Sequence, residues 1–280
     1  MTAHPAGQVP VDPAIVGDIR RAARATSMDF GYLMAQANQE SGFQPDAKAP
    51  TSSATGLYQF IDETWLSAVK AWGPRYGLGQ YAQHISQAPG GRPQVDDPAI
   101  RQQILDLRKD PAVSADLAAE LARSNKAEVE QALGRPASAT DLYLAHFLGA
   151  QGAKDFVRQI EHDGSAKAAD LMPQAASANR WVFYDDAGQA KTVAQIYRNF
   201  ADRIEHSVAA FSGATGLAGD TAAESLALNP GAEPRIDSPG LLATLNVLSL
   251  AAMKLLGKHP EDDPKPEQTA DRRRLADASA

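Results

Sequence analysis

A mainly α-helical domain over residues 12–212 is what the sequence predicts, on the strength of its hydrophobic period, its helix-start signals and its shortage of strands. Apolar residues recur three and four apart through most of that span, the period of a helix with one buried face. An Asp followed by a Pro, suited to an N-cap and a first helical turn, stands at Asp12-Pro13 and again at Asp97-Pro98. The one strand candidate is "RWVFYDD", 180–186, which with the following "AGQ" reads as a short hairpin.

Taken in order, Asp12 opens a helix running to about Arg24. Ser27 suits the N-cap of the next, whose Phe30, Leu33, Met34 and Ala37 share a face. Gly42 suits the left-handed residue that ends it. Asp62 is expected to cap a segment carrying Trp65, Leu66, Val69 and Trp72, and Asp97 the segment "AIRQQILDLR". Further helices are expected over 114–132, 140–149, 153–161 and 192–211. Residues 1–11 read as an N-terminal arm. Beyond the domain, 213–238 is rich in Gly, Pro and small polar residues and reads as a flexible linker. Residues 239–257 read as an apolar helix, and 258–280 as a polar tail without a core-forming pattern, expected to be disordered.

The 280 residues, 44% of them hydrophobic, suffice for a sizeable core. A formal charge of −7 gives no support to nucleic-acid binding. The absence of cysteine excludes disulfides, thiolate metal sites and a cysteine nucleophile. The six histidines show no metal-binding spacing, and there is neither a G-x-S-x-G turn nor a G-x-G-x-x-G loop, so no cofactor or metal is expected. The first twenty residues lack a basic start followed by an apolar stretch, so a cleavable signal peptide is not expected. The segment 241–256 is shorter than a membrane span and carries Lys254; it reads as a docked helix, or as a site for a membrane surface or a protein partner.

Chemistry concentrates in "QESGFQPDAKAPTSSATGLYQF", 39–60. Glu40 lies three residues after Ala37 and seven after Leu33, which puts it on the apolar face of its helix, in the last turn before Gly42. Desolvation and the negative end of the helix dipole both favour the neutral acid there, the state a general acid needs. A structural glutamate satisfied by a neighbour is the plainer alternative. The hydroxyls and amide of Ser41, Thr51, Ser52, Ser53, Tyr58 and Gln59 follow within twenty residues and suit a sugar-binding wall.

The order Glu40-Ser41, Phe43, then Gly56-Leu57-Tyr58-Gln59 resembles the soluble-lytic-transglycosylase (SLT) signature, "ES-x-F … A … S-x-x-GL-x-Q". A second block, "DLYLAHFLGAQGA" at 141–153, resembles the variant seen in SLT-type phage endolysins and related bacterial proteins. There His146-Phe147 replaces a tyrosine-asparagine pair, although a histidine packed within a helix is the plainer reading of His146. A third block, "TVAQIYRNF" at 192–200, is similar to the helix whose tyrosine reaches toward the catalytic glutamate. The resemblance covers roughly residues 15–210 and implies a goose-type lysozyme fold acting on peptidoglycan glycan strands. It further implies Glu40 as catalytic acid and base, and Ser41, Ser53, Tyr58, Gln59, His146, Phe147 and Tyr197 as substrate-binding residues. The implied reaction is lytic transglycosylation; a hydrolytic muramidase of the same fold and a non-catalytic glycan-binding or assembly protein are the alternatives. The place of action implied is the periplasmic cell wall, by a route the chain does not specify.

Overall fold

A computed structural model describes residues 11–50 and 52–214. The proposed apolar helix and tail therefore lie outside the described residues, as does the linker except for its first two residues, 213 and 214, which belong to the last helix instead. Within them the fold is mainly helical: α1 (Pro13–Thr26), α2 (Phe30–Ser41), α3 (Asp62–Trp72), α4 (Gly79–Ala82), α5 (Pro98–Asp106), α6 (Pro111–Leu133) and α7 (Ala139–Asp163). Then follow the short α8 (Ala168–Leu171), α9 (Pro173–Ala178) and α10 (Arg180–Phe183), and the long α11 (Val193–Ala214). The helices expected within 12–212 are present with ends moved by a few residues, except that 140–149 and 153–161 run together as α7 across a break at Gly149.

Three local details depart from the expectations. Ser27 does not start α2: its backbone is left-handed (φ 55°), and its N–H closes α1 onto the Ala23 and Arg24 carbonyls. Asp29 caps α2 instead, accepting from the Tyr32 N–H at 2.6 Å. Asp62 likewise does not cap α3. The Ser53 hydroxyl oxygen accepts the Asp62 N–H at 3.2 Å, while the Asp62 carboxylate is drawn to Arg101 and Arg108, each at 2.8 Å. The segment 180–186 opens with the helical turn α10, because the Val182 and Tyr184 N–H groups bond back to Asn179 and Arg180. A single bridge, Tyr184 to Ala190, is what remains of the expected hairpin. The two-stranded pair lies elsewhere, at β1 (Ser86–Gln87) and β2 (Pro93–Gln94), joined antiparallel across a turn containing Gly90 and Gly91. Its four residues are too few to show a period of two.

Four long-helix contacts carry the packing: α1 on α6, α6 on α7, α7 on α11, and α11 on α2. They enclose two cores. Leu33, Trp65 and Trp72 anchor the first, where the Trp65 indole N–H finds the Ile104 carbonyl at 2.7 Å. Tyr143, Phe156, Phe183 and Phe200 anchor the second. Helix α2 runs between them, giving Leu33 to one and Ala35 to the other, and only Phe30 and Asn38 of its twelve residues escape burial. Gly31 lets α11 approach: a Cβ there would lie 2.9 Å from the Val208 carbonyl oxygen.

The start of α7 is fixed by a buried carboxylate. Ser138 and Asp141 cap each other's N–H groups, and Asp141 also takes Arg135 at 2.7 Å and the Tyr197 hydroxyl at 2.9 Å. Burial alone would raise the Asp141 pKa, but the arginine, the Ser138 N–H and the tyrosine outweigh it and hold the carboxyl below its ordinary value. A depressed carboxyl stabilises the fold above its unfolded value near 4 and loses that contribution as pH falls through the folded one. Asp141→Asn should therefore cost about 1–3 kcal/mol at neutral pH. In urea unfolding at a series of pH values, its difference from the wild type should shrink below about pH 4.

Candidate active site

Tyr32, Gln36 and Glu40 stand at successive i, i+4 positions on α2, so their side chains form one row along the helix. Gly42 ends that helix with a left-handed backbone (φ 61°), its N–H bonded to the Asn38 carbonyl at 2.9 Å. Glu40 thus sits in the last turn, as expected, and has no exposed surface (0%). Its Oε1 lies 3.0 Å from His146 Nε2, and the other imidazole nitrogen, Nδ1, lies 3.2 Å from Gln36 Nε2. Glu40 Oε2 is buried without a hydrogen-bond partner among the described residues.

Beside this row lies a small cleft, lined among others by Tyr32 and Gln36 of α2, Tyr58 and Gln59 of the following loop, Asn125 of α6 and His146 of α7. Among the described residues no Asp or Glu lines it. Glu40 stands one layer behind the lining, joined to it through His146. The Tyr32 phenol is held strongly toward its neutral form, first by burial and then by the nearby Glu40 carboxyl.

The loop between α2 and α3 is a folded wall, held by its own backbone and by one arginine. Gly56 N–H reaches the Ala47 carbonyl at 2.8 Å, and Thr55 N–H reaches Phe60 at 3.1 Å. Arg108, buried just after α5, donates to the Ser53 and Phe60 carbonyls and to Asp62 Oδ1 at 2.8, 3.0 and 2.8 Å. Gln59 has a left-handed backbone (φ 49°), uncommon outside glycine, and its Nε2 is fixed by the Ala47 and Gly56 carbonyls at 3.0 and 2.9 Å. Its Oε1 is left buried and unpartnered in the cleft wall. Strained backbone and unpaired polar atoms in a cleft wall mark this turn as a binding candidate.

The structure distributes the expected site residues unevenly. Glu40, Tyr58, Gln59 and His146 come together around the cleft. Ser41 turns inward, its hydroxyl donating to the Leu57 carbonyl at 2.9 Å and so tying helix to loop. The Tyr58 ring forms part of the wall, but its hydroxyl is spent on the Leu33 carbonyl at 3.2 Å. Ser53 is exposed, and its oxygen serves the start of α3. Phe147 is buried edge-on against Phe200, with ring centres 5.5 Å apart, because one step along α7 turns the side chain by about 100°, away from the cleft and into the second core. The Tyr197 hydroxyl is engaged by Asp141 and Ser138 at the start of α7 rather than by Glu40.

Tyr32, Gln36 and Asn125 are cleft residues that the sequence reading missed. Their signal was present: two polar groups four and eight residues before Glu40, and an asparagine inside the buried stripe of Ala118, Ala122 and Val129. The side-chain amide of Asn125 makes no hydrogen bond to another described residue, which leaves it available to the cleft.

Residues 18–84 match the family model described as the transglycosylase SLT domain. Over that segment the chain is similar to an SLT domain. The match takes in α1 to α4, with Glu40, the wall loop and Gln59, and gives the fold its lysozyme-like class. An SLT domain indicates action on peptidoglycan of the lytic transglycosylase type. His146 and Asn125, which complete the cleft lining, and Arg108, which clamps the wall loop, all lie outside the matched segment.

Gly56 is the tightest point of this SLT wall. Its φ is +89°, and a Cβ there would lie 2.0 Å from the Arg108 carbonyl oxygen. Gly56→Ala should destabilise the domain by on the order of 3 kcal/mol or more, read as a lowered urea midpoint.

Proposed function

We propose that the protein is a peptidoglycan lytic transglycosylase that cleaves the β-1,4 bond between N-acetylmuramic acid and N-acetylglucosamine, with Glu40 as its single acid and base. The observation that carries this reading is the isolation of Glu40, one layer behind a cleft that no described carboxylate lines. Two-carboxylate glycosidases hold a second acid across the scissile bond. Here the other nearby acids are committed or exposed: Asp62 to Arg101 and Arg108, Glu63 to Arg92 at 3.3 Å, and Asp46 in solvent.

Glu40 gives a proton to the glycosidic oxygen as the bond from C1 of the muramyl sugar to that oxygen breaks. The substrate's own acetamide oxygen supports the electron-poor C1, the role a second carboxylate would otherwise fill. The Glu40 carboxylate then takes the proton from the muramyl 6-hydroxyl as that oxygen closes on C1. A 1,6-anhydro end forms, the proton returns to Glu40, and no water is consumed. Because Glu40 lies behind the cleft lining, the lining side chains must shift as a strand binds. The unpartnered amide oxygen of Gln59 and the free amide of Asn125 suit hydroxyl and acetamide groups.

Glu40→Gln keeps the shape and removes the transferable proton. Clearing of purified peptidoglycan should fall at least about 100-fold with the helical circular dichroism unchanged; retained activity would remove Glu40 from the mechanism. Mass spectrometry of the released muropeptides should show anhydro ends. Products heavier by one water would make the protein a muramidase instead.

A further inference from the structure

We infer that His146, itself held by Gln36, is the positioning residue for Glu40: it donates Nε2–H to Oε1 and so leaves Oε2 as the oxygen that carries the working proton. The inference rests on the proposed role of Glu40 and adds to it a residue outside the SLT match.

The argument follows the hydrogens. An amide Nε2 can donate but not accept, so with the Gln36 amide turned to place Nε2 3.2 Å from His146 Nδ1, Nδ1 is the acceptor; the flipped amide would reverse the tautomer. A neutral imidazole that accepts at Nδ1 carries its proton on Nε2, which faces Glu40 Oε1 at 3.0 Å. Oε1 is thereby an acceptor in every protonation state of Glu40, and Oε2, buried and without a partner, is the place left for the transferable proton. When that proton leaves, the same Nε2–H bond faces a full carboxylate and strengthens, so the support grows as charge develops. Both ring nitrogens are engaged within the protein. His146 therefore has no nitrogen left to exchange a proton with the sugar, and it acts through Glu40.

The helix supports this arrangement. Gly149, at φ 75° and ψ 161°, breaks α7 three residues after His146, and the Tyr143 ring lies 6.0 Å from the imidazole, centre to centre. The titratable groups around the imidazole are Glu40 and Tyr32 on α2, Tyr58 on the loop and Tyr143 on α7. The α6 residues that line the cleft, Asn125 among them, add no charge.

The tautomer can be read without any substitution. Long-range ¹H–¹⁵N correlation spectra of the ¹⁵N-histidine-labelled full chain, with His146 assigned by its absence in His146→Gln, should show Nε2 protonated and Nδ1 bare. An Nδ1–H tautomer, or two protonated nitrogens at neutral pH, would overturn the proposal. On soluble glycan strands, His146→Phe should lower kcat about 10- to 100-fold with KM within twofold, the loss of one hydrogen bond to a charged group. His146→Gln, which keeps a donor, should recover part of the loss. Gln36→Met should give mixed tautomers and a smaller fall in kcat. Unchanged kcat in His146→Phe while Glu40→Gln is inactive would reject the positioning role and leave the function of Glu40 standing. A rise in kcat would reject it too, making His146 a plug over the carboxyl.

Discussion

Everything distinctive about this molecule follows from burying a polar row inside α2. A helix enclosed by two cores has nowhere to send Tyr32, Gln36 and Glu40 except toward one another and toward the helix that crosses them. An unsatisfied buried carboxyl or amide costs on the order of 1–3 kcal/mol, so partners have to be supplied from distant parts of the chain. His146 supplies one, 106 positions away, and the cleft is the space left where partners run out. The unpaired atoms of Glu40, Gln36 and Gln59 gather at that edge. Stability is given up where a polymer of hydroxyls and acetamides could restore it.

The wall opposite α2 rests on a second buried charge. Arg108 makes three hydrogen bonds into the loop and its end, and a fourth to the Leu105 carbonyl. Burial weakens its hold on the proton, while Asp62 acts the other way. Losing either partner of such a pair strands a charge, which is far costlier than the pair's own net contribution. The left-handed turn at Gln59 can persist because the surrounding bonds leave the backbone no alternative.

The helices were legible because each buries one face against a core, and that writes a period of three to four into the chain. Glu40 was legible for the same reason: a carboxylate on an apolar face, one turn before a glycine, breaks the pattern visibly. The cap positions were less so, since Ser27 and Asp29 both satisfy the local preference and only the conformation at Ser27 decides between them. Tyr197 shows a different limit. The sequence places a tyrosine on the right helix, but which carboxylate its hydroxyl meets depends on how α11 lies across α7, and it meets Asp141. For the same reason Ser41 and Phe147, adjacent to cleft residues in sequence, face inward.

The placement of Arg108 bears on what can be cut from, or transplanted out of, this chain. The segment that matches the SLT model ends at residue 84, yet its wall is bolted from position 108 and its carboxyl from position 146. A fragment bounded by the match would keep the signature and lose both anchors, leaving the loop without its clamp and Glu40 without its donor. The signature is thus a seam in a larger machine rather than a portable part. Anyone grafting this specificity onto another helical scaffold would have to move three distant stretches together.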